Sequence, residues 1–165
     1  MGTMKVKNNL LYNSDGTQVG FRSTPNKGST ISPIYIVMHY DAAPNATSAI
    51  NWMTDPKSQV SAHLHISRDG VVTQLVPFNQ KAWHAGVSKW RGLTGLNSYS
   101  IGIELQNTGT QQYTDVQINA AIEVCKTLIA NYPIKEIIGH SDIAPGRKPD
   151  PGPQFPWAKF KPLIK

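Results

Sequence analysis

Five histidines, His39, His63, His65, His84 and His140, carry most of the chemical options in this chain. His39 follows the run Ile34-Tyr35-Ile36-Val37-Met38, and His140 follows Ile134–Gly139, so each stands where an apolar, β-favouring segment ends. In open α/β sheets such strand ends are where ligands and catalytic groups gather. Either histidine alone reads as a buried, hydrogen-bonded core residue; the pair, followed by a constrained acidic loop, shifts the reading. In that loop Asp150 lies between Pro149 and Pro151. The prolines fix their own φ and restrict the residue before each, which lowers the entropy lost when the loop folds back on itself. Two neutral imidazoles and one carboxylate, with a position left for water, are the ligand set of a catalytic zinc site. A solvated turn is the plain alternative for Asp150.

Glu104 is the only acid between Asp69 and Asp115, and it sits inside the apolar segment Ile101-Gly102-Ile103-Glu104-Leu105. A carboxylate placed there needs a partner or a function. The alternative is an outward-facing strand residue, since Ile101 and Ile103 share the opposite face. His63 and His65, two apart, share one face of a strand. They are a possible second metal pair, but a strand face lining a cleft is preferred, with His63 the nearer candidate. Trp83 and His84 lie among Lys81, Lys89, Trp90 and Arg91, with no acid from Gly70 to Ile103. Such an aromatic and basic strip suits a sugar face and an anionic peptide, although one of the tryptophans is expected to pack in the core.

These residues need elements to position them. Ile34–Met38 reads as a strand buried on both faces, and Thr47–Met53 as a short helix stopped by Thr54-Asp55-Pro56. Val60–Ser67 and Val71–Val76 flank Arg68-Asp69-Gly70 as a hairpin, and Ser98–Leu105 is another strand. Over Asp115–Tyr132, the residues Ile118, Ala121, Ile122, Cys125, Leu128, Ile129 and Tyr132 recur at helical spacing as one buried stripe. Thr114 and Gln117 fit a capping box, and Pro133 ends the helix. Ile134–Gly139 is a short strand, and Trp157–Ile164 a closing helix. The mixture predicts an α/β fold, a mixed central β-sheet flanked by α-helices. One domain is expected over residues 1–165, with 1–30 an irregular lead-in or short hairpin and 31–160 the catalytic core.

Composition narrows the classes. A chain of 165 residues is long enough for one core. Its apolar runs are too short to span a bilayer, and the basic start lacks the sustained apolar stretch of a signal peptide. With 16 Lys plus Arg against 10 Asp plus Glu, the net charge of +6 favours anionic partners without choosing among them. The lone Cys125 excludes an internal disulfide framework and a multi-cysteine zinc site, so any metal is held by His and carboxylate.

His39 after Ile36-Val37-Met38, VSAHLHISRDG (Val60–Gly70), AWHAG (Ala82–Gly86), SIGIEL (Ser100–Leu105) and GHSDIAPGRKPDPGP (Gly139–Pro153) occur in an order that resembles the zinc-dependent N-acetylmuramoyl-L-alanine amidases. These share their fold with peptidoglycan recognition proteins and amidase-type phage lysins. The resemblance runs from about Ile34 to about Trp157, and its last motif is the most specific. It implies one zinc per chain held by His39, His140 and Asp150, an acid/base role for Glu104 and assistance to the reacting carbonyl by Lys148. Asp at 150, where other branches have Cys, points to the bacterial enzymes. Asp41 departs from the hydroxyl residue that is commoner after the ligand histidine and is a weak rival ligand. His63, Trp83 and His84 are the expected substrate contacts, and peptidoglycan or muropeptides the expected partner.

The implied activity is hydrolysis of the amide between N-acetylmuramic acid and L-alanine, as a bacteriolytic, endolysin-like enzyme or in muropeptide recycling. A non-catalytic peptidoglycan-binding module is the alternative, weakened by the presence of every ligand and catalytic candidate. A nucleic-acid binder ranks last, because no helix-turn-helix or RNP-like pattern is present. A monomer without a membrane span is expected, made in the cytoplasm and reaching the wall only if released by another route.

Overall fold

The computed structural model describes residues 3–164; Met1, Gly2 and Lys165, the ends of the expected 1–165 domain, lie outside the described residues. In chain order the first elements are β1 (Lys5–Lys7), β2 (Leu10–Tyr12), β3 (Gly20–Phe21), β4 (Lys27–Thr30), β5 (Tyr35–Tyr40) and α1 (Ala46–Thr54). The hairpin β6 (Leu64–Ile66) and β7 (Val72–Gln74) follows, then β8 (Gln80–Ala82), β9 (Lys89–Trp90) and β10 (Leu93–Thr94). The last are β11 (Ser100–Leu105), α2 (Asp115–Asn131), β12 (Glu136–Gly139) and α3 (His140–Ile143).

Six strands form the central sheet in the order β12-β5-β11-β6-β7-β3. β12, β5, β11 and β6 are parallel, β7 runs antiparallel to β6, and β3 pairs parallel with β7, so the sheet is mixed. Alternation along β5 and β11 gives the sheet two different faces. Ile36, Met38, Ile101, Ile103 and Leu105 join Ile118, Ala121, Val124, Cys125 and Leu128 of α2 in the large apolar cluster. Tyr35, Val37 and Ile138 face the other way, into a smaller cluster with Ala85, Leu96 and Ile143. Cys125 is fully buried in the first cluster, and burial pushes its thiol up to about 12.

The Thr114 hydroxyl accepts from the Gln117 amide at 3.1 Å and caps α2. The reciprocal half of the expected capping box does not form. The Gln117 side chain instead donates to the carbonyls of Ile66 and Gln106, at 3.1 and 3.0 Å, and ties the helix to the sheet. Tyr132, ahead of Pro133, is extended at φ −134° and ψ 153°, so the helix ends one residue earlier than expected.

Two further expectations are corrected. The lead-in does contain a hairpin, β1 with β2, but β3 also extends the central sheet and β4 pairs with β8. Leu11 and Val19 belong to the large apolar cluster, so packing begins well before residue 31. These strands have two to four residues each, too short to show an apolar period. The closing segment is two 3-10 turns, Trp157–Lys159 and Lys161–Leu163, rather than one helix. Pro162 cannot donate the bond that a continuous helix requires there.

Candidate metal centre and cleft

Register explains why the chemical residues meet. In the parallel β11–β5 pair Glu104 stands opposite His39, and in β12–β5 Gly139 stands opposite Met38. His140, one residue further on, therefore begins α3 beside His39. Asp150 arrives from the proline-rich loop, which is tied back by a hydrogen bond from the Ser141 amide to the Asp150 carbonyl at 2.9 Å. Gly139 permits that return: a Cβ there would lie 2.8 Å from Pro151 Cδ.

His39, His140 and Asp150 are all buried, and their ligand atoms converge. His39 Nδ1 is 3.0 Å from His140 Nδ1 and 2.9 Å from Asp150 Oδ2, and His140 Nδ1 is 3.2 Å from the same oxygen. His140 Nε2 lies 2.9 Å from the Ala85 carbonyl, which only accepts. That nitrogen therefore carries the ring hydrogen, and Nδ1 presents a lone pair to the cluster. Ligand atoms around a tetrahedral zinc with bonds of about 2.0–2.1 Å are about 3.3 Å apart, so this donor set and its spacing fit such an ion.

Electrostatics sets the neighbouring carboxyls apart. Burial works to raise the Asp150 pKa, but the His140 and His39 imidazoles packed against the carboxyl outweigh it and hold it well below the usual range. Glu104 moves the opposite way: burial, then the nearby Asp150 and Asp41 charges, raise its pKa well above the ordinary value, while Lys148 opposes them. Its Oε2 stands 3.9 Å from His39 Nδ1 and has no hydrogen-bond partner among the described residues.

A cleft of about 440 Å³ opens over these groups, with Trp52, Val60, Trp83, His84 and Lys148 among its walls. Trp83 and Lys148 thus lie on the cleft, and Lys148 is exposed. His84 also borders it, but both ring nitrogens are engaged, Nδ1 at 2.9 Å from His39 Nε2 and Nε2 at 3.2 Å from Ser100 Oγ. His63 is a correction. Its ring is fully buried away from the cleft, Nδ1 accepting from the Gly102 amide at 3.0 Å and Nε2 donating to the Gln80 carbonyl at 2.7 Å. Burial lowers its pKa to about 4.

His65 does not pair with His63 around a metal. It is bonded to Asp41 Oδ2 at 2.8 Å, while Asp41 Oδ1 accepts from the amides of Ala43 and Asn107. Asp41 is thereby occupied and does not join the three converging donors. The basic strip is also displaced from the cleft. The Arg91 guanidinium grips Glu136 through two hydrogen bonds, at 3.0 and 3.1 Å, and Trp90 Nε1 donates to the same carboxylate. Two groups went unnoticed in the sequence. Trp52 had no signal beyond its type, whereas Ser100 was marked by its spacing, sharing a strand face with Gly102 and Glu104.

The fold and these groups define a hydrolase family. Residues 29–153 match the family model described as N-acetylmuramoyl-L-alanine amidase, and the chain belongs to that family. Over 108 residues it is 52% identical to the 1,6-anhydro-N-acetylmuramyl-L-alanine amidase AmpD of Escherichia coli (strain K12), a match covering 64% of this chain and 59% of AmpD. The chain thus spans somewhat over half the length of that curated relative. The crystal structure of a selenomethionine AmpD derivative superposes with a TM-score of 0.81 at 37% identity, covering 89% of this chain and 94% of that one. E. coli AmiD, solved in complex with the substrate anhydro-N-acetylmuramic acid-L-Ala-D-γ-Glu-L-Lys, gives a TM-score of 0.73 at 35% identity, covering 94% of this chain and 63% of AmiD. Among the described residues no helix is long and apolar enough to cross a membrane.

Proposed function

We propose that this chain hydrolyses the amide between the lactyl group of N-acetylmuramic acid and L-alanine, using one zinc ion held by His39, His140 and Asp150. The observation that carries the proposal is the convergence of three lone-pair donors beside the unpartnered Glu104 oxygen, in a chain of this family. When bound, zinc supplies Lewis-acid polarisation of the scissile carbonyl and of water. Glu104 takes the proton of the attacking water and returns it to the leaving amine. Its burial and anionic neighbours raise its pKa, and the charge of a bound zinc would oppose them. Lys148, a cation on the cleft wall, stabilises the oxyanion that develops as water adds to the carbonyl. Trp83 offers an apolar face to the substrate.

The substrate pool we infer is soluble 1,6-anhydro-muropeptide, turned over in cytoplasmic recycling. The AmpD name and the anhydro sugar in the AmiD complex support this over wall lysis.

The test is to incubate the metal-free chain with an anhydro-muramyl-L-alanyl peptide and with intact sacculi, before and after one equivalent of zinc, and to read products by mass spectrometry. Zinc-dependent release of the free L-alanyl peptide, faster from the soluble substrate, is expected. Cleavage without metal, cleavage at another bond, or binding without turnover overturns the proposal. Equal rates on sacculi overturn the assignment of the pool.

A further inference from the structure

Both imidazoles that face the candidate metal centre are held from behind by adjacent residues of one short segment. His39 Nε2 lies 2.9 Å from His84 Nδ1, and His140 Nε2 lies 2.9 Å from the Ala85 carbonyl. Behind His84, its Nε2 is 3.2 Å from Ser100 Oγ, and the Ser100 hydroxyl donates to the Leu96 carbonyl at 2.6 Å. That last link sets the direction of the whole chain. A hydroxyl has a single hydrogen, and with it directed at a carbonyl, Ser100 can only accept from His84. His84 therefore carries its hydrogen on Nε2 and a lone pair on Nδ1. That lone pair accepts from His39 Nε2–H, which leaves His39 Nδ1 bare toward Asp150 and His140.

The supporting residues are themselves fixed. Asn97 Oδ1 accepts from the backbone amides of His84 and Ala85, at 3.0 and 2.8 Å. Gly102 makes room for the His84 ring, because a Cβ there would lie 2.4 Å from His84 Cγ. Three of the polar or small positions in and beside β11 thus serve one imidazole that touches the metal ligand and not the metal centre. A carboxylate is the common outer partner of a ligand imidazole. A neutral histidine fills that place without adding another anion beside Asp150 and Glu104.

We infer that His84, oriented by Ser100, is a positioning residue that locks the tautomer of His39 and sets the metal affinity of the centre, rather than a contact for substrate. The inference rests on the zinc reading above. Loss of an outer partner of this kind weakens metal binding by about 10–100-fold.

Zinc affinity of the chain is to be measured by competition with a chromophoric chelator for wild type, His84→Ala, His84→Asn and Ser100→Ala. Asparagine places an acceptor oxygen where Nδ1 stood. His84→Ala is expected to bind zinc about 10–100-fold more weakly. His84→Asn should recover most of the loss, and Ser100→Ala should show a smaller shift in the same direction. In the wild-type protein, long-range nitrogen–proton NMR should report Nε2–H tautomers for both His39 and His84, a readout that needs no variant to fold. Wild-type affinity in His84→Ala, equal weakness in His84→Ala and His84→Asn, or an Nδ1–H tautomer at His84 overturns the inference. A wild type that binds no zinc instead ends the metal reading itself, and the two failures are thereby distinct.

Discussion

On one face of β11, Ile101, Ile103 and Leu105 are fully buried against the α2 side of the sheet. On the other, Ser100 meets His84, Gly102 clears space for it, and Glu104 stands beside His39 with an oxygen lacking any partner among the described residues. Six consecutive residues therefore do two jobs, sorted only by the alternation of a strand. The apolar side chains each contribute roughly 1.5–3 kcal/mol by leaving water. An unsatisfied buried oxygen costs roughly 1–3 kcal/mol. The packed face offsets the strain of the reactive one, so the carboxyl can be held unpartnered without unfolding the strand that carries it.

Substitutions on the two faces should separate function from stability. The largest effect is expected from Glu104→Gln, which should lower kcat by roughly 10²–10⁴ while leaving the melting temperature no lower than that of wild type. Across the strand, Ile103→Ala should do the reverse. Denaturant unfolding should show a loss of about 2–5 kcal/mol, with kcat per folded molecule unchanged. A fall in kcat as large as in Glu104→Gln would mean that the faces are not separable.

A smaller effect concerns His63, which bonds to the same strand at the Gly102 amide but lies off the cleft. Its folded pKa of about 4 is below the ordinary 6.5. The unfolded chain thus binds the extra proton first as pH falls. The stability is full above about pH 6.5 and is lost progressively down to about pH 4, by up to about 3 kcal/mol. His63→Asn should show a shallower decline of unfolding free energy across that window. Parallel profiles for the two proteins would remove His63 as the source.

Much of this was legible in the chain. Long apolar runs announced β5, β11 and the α2 stripe, and the ends of β5 and β12 deliver His39 and His140. The loop prolines singled out Asp150. What alternation does not reveal is what each ring meets across the sheet, and the two histidines expected as substrate contacts are both engaged otherwise: His63 is closed off in the interior, and His84 is bonded to His39. Both outcomes depend on what packs across the sheet, namely the Gln80 carbonyl for one ring and Ser100 for the other. Gln117 left its capping box for the same reason, because two sheet carbonyls were within reach. Arg91 falls in the basic strip of the sequence, and nothing in its neighbourhood points to its partner Glu136, 45 residues away.

On the proposed reading, a single zinc ion held by His39, His140 and Asp150 and a separate proton carrier, Glu104, divide the chemistry of this cleft. Zinc content and turnover of a soluble anhydro-muropeptide, read on one preparation of Glu104→Gln, test it most directly. About one zinc per chain, as in wild type, with kcat reduced by roughly 10²–10⁴, is the predicted result. Near wild-type kcat in the zinc-loaded variant would contradict the claim.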